Sequence, residues 1–254
     1  MNSQSARKTC VCECTNSTRV TAEIVGLEFL WPGPPPKAGQ FFLIKPLQTG
    51  VFLARPISIA GLKRGGTLRF LVAIRGKGSR EIAEMRPGEE AEITGPLGNF
   101  WPLELISRGP VALVAGGIGI APLLALAAEL EKKPDNFVFD FYAGFRSGSF
   151  GQKMKARILV ITTEDGSLGK KGRITDFFKP SGYRLVFACG PEPMLKTVAS
   201  ICEAARVPCL ISMEKHMACG VGACLGCTVK TTVGNRRCCA DGPIFNALDI
   251  QFED

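Results

Sequence analysis

The chain has 254 residues, 46% of them hydrophobic and 21% charged, with 31 Lys and Arg against 23 Asp and Glu for a formal net charge of +8. That length suits two domains and a small appendage at ~100–200 residues per domain, and the composition is that of a globular, turn-rich protein and not of a disordered one. No run of ~18 apolar residues is present, which excludes a membrane-spanning helix, and no basic stripe interleaved with aromatics offers a nucleic-acid surface. The opening residues MNSQSARKTC lack the apolar stretch of a secretory signal. Eleven cysteines in such a chain point to a reducing, cytoplasmic setting, where thiols serve metal and not disulfides.

In chain order, residues 1–17 read as an N-terminal extension, a mobile tail in which Cys10, Cys12 and Cys14 stand at C-x-C-x-C spacing. Residues 18–103 hold short apolar runs broken by Gly and Pro, at 20–25, 40–44, 67–74 and 90–94. They predict an antiparallel β-barrel, with the proline-rich stretch 32–36 as a stiff turn. Over 104–209 strand-like and helix-like runs alternate: strands at 111–115, 137–142, 158–161 and 184–188, helices at 122–130 and from Met194 to Cys202. Such alternation predicts a doubly wound, parallel α/β domain. Residues 210–254 form a small, cysteine-rich C-terminal module. The fold class is therefore α+β multidomain.

The module carries the sharpest motif. Cys219, Cys224 and Cys227 follow C-x4-C-x2-C spacing, and the adjacent pair Cys238 and Cys239 comes later. Plant-type 2Fe–2S clusters use that spacing, with four thiolates on two irons. Structural zinc instead pairs its ligands in two C-x2-4-C knuckles, and only one such pair is present. Gly220, Gly222 and Gly226 can take positive φ and turn backbone amides toward sulfur. One of Cys238 and Cys239 completes the set. His216 is the chain's single histidine, so a His-based triad is excluded, and packing beside the cluster loop is its expected role. Cys202 and Cys209 read as core.

Three further segments suit phosphates and nucleotides. In Arg55-Pro56-Ile57-Ser58 an arginine beside a proline-fixed backbone can grip a pyrophosphate, while the hydroxyl and nearby amides face a flavin ring. Gly76-Lys77-Gly78-Ser79 is a turn whose bare backbone can approach the same phosphates. Gly116-Gly117-Ile118-Gly119 follows a buried strand and opens a helix containing Pro122, so free amides face an anion. It is not the GxGxxG fingerprint. A second strand–helix junction, Cys189-Gly190-Pro191, is expected beside it at the carboxyl edge of the sheet, where dinucleotides bind. Glu164 and Asp165 suit an adenosine ribose and hence NAD; Arg146 argues for the 2′-phosphate of NADP.

Barrel, Arg-Pro-x-Ser, GGIGIAP, CGPEPM and cysteines occur in an order that resembles the ferredoxin-reductase superfamily. Within it the chain is most similar to the NAD-linked electron-transfer subunits of class 1B dihydroorotate dehydrogenase, from about Thr18 onward. The residues His216-Met-Ala-Cys-Gly-Val-Gly-Ala-Cys-Leu-Gly-Cys227 and Cys239-Ala-Asp-Gly-Pro-Ile-Phe245 carry that resemblance. It implies Cys219, Cys224, Cys227 and Cys239 as cluster ligands, leaving Cys238 a neighbour. It further implies FAD contacts at Arg55, Pro56, Ile57, Ser58, Gly78 and Ser79. Val72, Ala73 and Ile74 are further expected FAD contacts; Val72-Ala73 stand where the family often carries a Tyr-Arg pair, with Arg75 as a candidate substitute for the lost phosphate contact. The dinucleotide NAD falls to Gly116, Gly117, Gly119, Cys189, Gly190 and Pro191, with Cys189 either a flavin-side residue or a buried structural thiol.

The resemblance also implies a function in pyrimidine biosynthesis. Electrons from the FMN of a separate dihydroorotate dehydrogenase catalytic subunit would pass through a 2Fe–2S cluster and FAD to NAD+, in a heterotetramer of two of each chain. No catalytic residue is then expected here, because the redox chemistry belongs to the cofactors. Two alternatives differ from this. One is the equivalent subunit of a sulfite reductase or ferredoxin:NADP transhydrogenase, whose cluster loops match less well at Ala218 and Ala223-Cys224-Leu225. The other is a non-redox sensor of NAD or metal, which rapid reduction of bound FAD by NADH would exclude.

Overall fold

The computed structural model describes residues 7–106, 109–132, 137–148 and 154–253. Six strands, β1 (Lys8–Thr21), β2 (Ile24–Leu30), β3 (Phe41–Pro46), β4 (Arg55–Leu62), β5 (Thr67–Ala73) and β6 (Glu90–Leu97), close a barrel in the order β1-β2-β5-β4-β3-β6. Every pairing is antiparallel, so closure leaves no open edge. The period of two decides which side chains fill it. On β3, Phe42 and Ile44 are buried inside with Phe70 and Ile93, while Phe41 and Leu43 face a second core outside. Trp31, Phe42 and Phe70 meet edge to face at 5.2 and 5.6 Å.

The N-terminal segment departs from expectation. From Lys8 it is a barrel strand and not an extension reaching to 17: β1 pairs with β6 from Lys8↔Gly95 to Glu13↔Glu90 and then with β2. Cys12 and Cys14 are buried, and Cys10 half-buried, on alternate positions of one face. Thiols there pack as small apolar groups, and burial pushes Cys12 up to about 11. From Lys8 on, the mobile tail expected for these cysteines is replaced by a paired strand. Glu13 between them, Thr9 before and Thr15 and Asn16 after hid the period. Residues 1–6 lie outside the described residues. Two smaller corrections follow from register. The run 20–25 is no single strand, since Thr21 pairs with Ile24 around a turn at Ala22 and Glu23. The turn at 76–79 opens a helix, α1 (Lys77–Ala83).

The second unit is a sheet whose parallel strands are β7 (Val111–Gly116), β8 (Phe139–Phe145), β9 (Leu159–Thr163), β10 (Lys170–Lys171), β11 (Leu185–Cys189) and β12 (Cys209–Ser212). The helices are α2 (Ile120–Leu130), α3 (Ile174–Phe177) and α4 (Glu192–Ala204). All six residues of β7 are buried, as both faces of a parallel strand require. The cysteine-rich remainder adds a hairpin of β13 (Thr228–Thr231) and β14 (Gly234–Arg237), then β15 (Ile244–Asn246). Sheet order is β10-β9-β8-β7-β11-β12-β15, the last antiparallel. The sheet thus runs past the boundary expected at 209, and β15 of the C-terminal module is its edge strand. Chain order reverses between β7 and β11, which makes their carboxyl ends a topological switch point.

One apolar core spans barrel and sheet, joining Ile59 and Phe42 to Ile120, Leu123 and Phe187. Asn99 fastens the module to both. Its amide nitrogen donates to the carbonyls of Asp241 and Ile244 at 3.2 and 2.8 Å, and its side-chain oxygen accepts from Ile244 N at 2.9 Å. Among the described residues, no helix is long and apolar enough to cross a membrane.

Candidate metal centre and nucleotide cleft

The cluster loop is shaped by its backbone. Gly220 and Gly222 have φ of +67° and +82°, and the third left-handed position is Leu225 (φ +59°), not Gly226 as the spacing of glycines suggested. The resulting coil aims amides at sulfur. Val221 N and Cys224 N approach Cys219 Sγ at 3.4 and 3.5 Å, Gly222 N donates to Cys239 Sγ at 3.1 Å, and Cys239 N to Cys227 Sγ at 3.4 Å. Hydrogen bonds of this kind stabilise thiolate sulfur. The amides of Val221 and Cys224 lower the Cys219 thiol to about 6. Cys239 moves the other way, up to about 12, because it is buried and faces the Cys227 thiol. Two such buried sulfurs cannot both ionise unless a cation compensates them.

That donor set fits a 2Fe–2S cluster. Among the described residues no three His, Cys, Asp or Glu side chains converge on a single-ion site; a two-iron cluster asks for no such point, since each iron takes only two protein thiolates. Cys227 and Cys239 are buried, Cys219 half-buried and Cys224 exposed, so one edge of the centre faces solvent. Arg237 holds the second half in register. Its guanidinium grips Asp241 at 2.9 and 3.1 Å and reaches the Gly222 carbonyl at 3.5 Å. Cys238 is fully buried in the neighbouring core. His216 is exposed, contrary to the packing role expected of it.

The barrel residues also assemble. The Arg55 guanidinium lies flat on Gly78, where any Cβ would collide with it, and donates to the Leu53 carbonyl at 2.8 Å. A side chain at 78 would displace the guanidinium from this seat, which joins β4 to the start of α1. Ser79 Oγ accepts from Arg75 N and Gly76 N at 2.8 and 3.1 Å, so its hydroxyl orders its own turn. Pro56, Ile57 and Ser58 continue half-buried along β4, as do Ala73 and Ile74 at the end of β5. Val72 is different: its side chain is wholly inside the barrel core, so only its backbone remains for a ligand.

At the switch point the two strand–helix junctions interlock. A Cβ on Gly119 would strike the Cys189 carbonyl, and one on Gly190 would meet Gly116 N at 2.9 Å. Gly116 likewise abuts Pro191 and Met194. The turn Gly117–Gly119 lies against β5, which brings the dinucleotide set beside the barrel set. Cys189 is buried, and burial raises its thiol well above the ordinary range. Glu214 was missed by motif reasoning because no pattern surrounds it, yet its charge faces both Cys189 and Arg75. Further out, Asp165 accepts from Ser167 N and Oγ at 2.9 and 2.7 Å, beside exposed Arg146 and Glu164.

Comparison with known proteins shows the family and the fold. Residues 214–251 match the model of the iron-sulfur cluster binding domain of dihydroorotate dehydrogenase B. The dihydroorotate dehydrogenase B (NAD(+)) electron transfer subunit of Clostridium perfringens is 46% identical over 218 residues, covering 85% of this chain and 87% of that protein. The chain belongs to this family. The Clostridium acetobutylicum member is 44% identical over 221 residues, 86% of this chain and 87% of its own length. Among solved structures, the NADH-dependent reduced ferredoxin-NADP oxidoreductase superposes with a TM-score of 0.83 at 26% identity, covering 96% of this chain and 91% of its own. A Neisseria gonorrhoeae ferredoxin NADP+ reductase, at 17% identity and TM-score 0.64 over 78% of this chain and 92% of its own, shares the fold. As a family member, this chain is an electron-transfer subunit of an oxidoreductase.

Arg55 gives a direct test of the barrel cradle. Arg55→Ala removes a charged donor from the expected phosphate position and should weaken FAD binding by about 1.5–3 kcal/mol, the range for a hydrogen bond to a charged group. Flavin fluorescence during dilution reads this; full retention would remove Arg55 from the site.

Proposed function

We propose that this chain is the cytoplasmic subunit through which an FMN-containing dihydroorotate dehydrogenase delivers electrons to NAD+, in a complex with two copies of each subunit. The observation that carries the reading is that three candidate binding surfaces adjoin the same barrel: the thiol loop seated on Leu43 at the outer face of β3, the Arg55–Gly78 cradle on β4, and the interlocked glycine junctions, whose turn Gly117–Gly119 lies against β5. When bound, a flavin exchanges two electrons with NAD and single electrons with an iron–sulfur cluster, which is why the three groups belong together. Cys219, Cys224, Cys227 and Cys239 would hold the 2Fe–2S cluster. Arg55 would grip the FAD pyrophosphate, with Pro56, Ile57 and Ser58 lining the flavin side and Gly78 leaving room for the guanidinium.

For NAD, the amides from Gly117 to Ile120 stand at the amino end of α2, where backbone N–H groups favour phosphate. Gly116, Gly119 and Gly190 let the two junctions come close enough to leave a cleft, with Cys189 and Pro191 as its floor. Cys189 stays a neutral thiol there, since burial opposes its ionisation. Neither unit supplies a barrel for dihydroorotate, so that chemistry falls to the partner.

The experiment pairs two activities. Alone, the holo-chain should oxidise NADH with dye acceptors and show no activity on dihydroorotate. Mixed with an FMN-containing dihydroorotate dehydrogenase subunit, it should confer NAD+ as acceptor, and Cys224→Ser should abolish that coupling while sparing NADH–dye turnover. Undiminished dihydroorotate–NAD+ turnover by a complex verified to lack the cluster would overturn the reading. A rapid NADH–dye reaction would also dispose of the non-redox sensor.

A further inference from the structure

Beyond the thiol loop's own chemistry, the loops seated on the outer face of β3 expose large apolar side chains. Outward positions alternate along this strand, so Leu43, Lys45 and the following Leu47 lie in a row about 6.6 Å apart. Leu43 is covered: the cluster loop sits on it at Gly220, where a Cβ would come within 2.7 Å of Leu43 Cδ1. Lys45 is covered from the other side, its Nζ 6.0 Å from the centre of the Phe52 ring in the β3–β4 loop. The cluster loop and the Phe52 loop therefore occupy successive steps of one strand face. Ala54, at the base of the second loop, packs into the same core as Leu43 and Cys227.

Both loops turn large apolar side chains to solvent. Phe52 is 87% exposed, Leu47 and Leu53 beside it in the chain are exposed, and so are Val221 and Leu225 of the cluster loop. Isolated exposed leucines need no explanation, but a bare phenylalanine with two exposed leucines in its own loop does. The loop is also held ready. Arg55 donates to the Leu53 carbonyl at 2.8 Å, and Val51 N donates to Thr49 Oγ at 3.0 Å, which lowers the ordering cost of binding.

We propose that Phe52 is the anchor by which the FMN-bearing catalytic subunit docks, with the Phe52 loop and the Val221–Leu225 segment forming one footprint. The choice of occupant rests on the function proposed above and on continuity. Cys224 is the exposed ligand of the four, it lies within the same footprint, and a partner exchanging electrons with the cluster must cover that edge. An aromatic side chain entering a partner pocket is the commonest kind of interface hot spot.

The test uses the full holo-chain and the FMN-containing subunit, with affinity measured by sedimentation or biolayer interferometry. Phe52→Ala should raise the dissociation constant at least tenfold. Leu30→Ser is the control: Leu30 is exposed on β2, three strands from β3 in either direction around the barrel, and its change should leave affinity unaltered. Cluster content and NADH–dye turnover should be intact in both variants, which separates lost docking from misfolding. Wild-type affinity in Phe52→Ala would overturn the proposal, as would self-association of the free chain that vanishes in that variant while partner binding persists. If the unmodified chain fails to bind the FMN subunit at all, the functional reading fails with it; binding that ignores Phe52 sinks the footprint alone.

Discussion

Cys239→Ser is expected to strip the chain of its cluster, whereas Cys238→Ser should keep about two irons per chain. The two residues are adjacent, both buried, and both thiols are pushed up to about 12, in each case chiefly by burial. What separates them is direction. Cys239 Sγ receives the Gly222 amide at 3.1 Å and faces Cys227, so it belongs to the loop's inward set of sulfurs. Cys238 instead contributes its backbone amide, which donates to the Cys227 carbonyl at 3.0 Å, while its thiol is wholly buried. Serine at 239 replaces a soft thiolate by a poor ligand for iron, leaving one iron with a single thiolate. Serine at 238 puts a hydroxyl into an apolar site and costs stability without touching a ligand. Iron and sulfide analysis with low-temperature EPR of the reduced variants distinguishes the outcomes. The reverse pattern would move the fourth ligand to Cys238.

Asp140→Ala should destabilise the sheet unit by about 3 kcal/mol, near the lower bound for breaking a buried ion pair because Arg157 stays half-exposed. Asp140 itself is fully buried on β8. It accepts from Arg157 Nε and Nη2 at 2.9 and 2.6 Å, from Ile158 N at 3.1 Å and from Tyr183 Oη at 2.6 Å, and Tyr183 in turn meets Tyr142 Oη at 2.8 Å. Alanine leaves those donors without their acceptor. Burial opposes ionisation of Asp140, but the donors from Arg157 and Tyr183 outweigh it and hold the carboxyl below its usual range. The sign follows. The unfolded chain, with a carboxyl near ~3.9, binds the proton more readily than the folded one. This contribution is complete above that value and is lost as pH falls through the lower, folded one. Urea unfolding of wild type and variant at neutral and acid pH measures both effects. The difference between them should shrink in acid, and a constant gap would mean that Asp140 acts by packing alone.

The site was legible where chemistry is written in short spacings. C-x4-C-x2-C, Arg55-Pro56-Ile57-Ser58 and the glycine junctions after two apolar strands are local patterns whose function depends on neighbours a few residues away. Each lies where that local reading expected it on strand, loop or helix start. The β/α alternation after residue 110 was equally legible, because a buried parallel strand such as Val111–Gly116 must be apolar throughout.

Reading failed where a residue's role depends on a distant partner. Lys8–Thr21 has the polarity of a tail, and only its pairing with β6, some eighty residues away, makes it a barrel strand with cysteines inside. Glu214 has no motif, since its neighbours in space come from β11 and the end of β5. Leu225, rather than Gly226, takes the left-handed turn because the coil closing on four sulfurs sets φ there, whatever the side chain prefers. The sequence by itself determined the order of the modules, the cysteine spacing of the loop and the places of the glycine turns, all products of local spacing. Tertiary structure alone decided how the Gly78 backbone meets Arg55 and that the Phe52 loop and the cysteine loop reach the same face of β3. Those are matters of direction, and direction comes only from long-range packing.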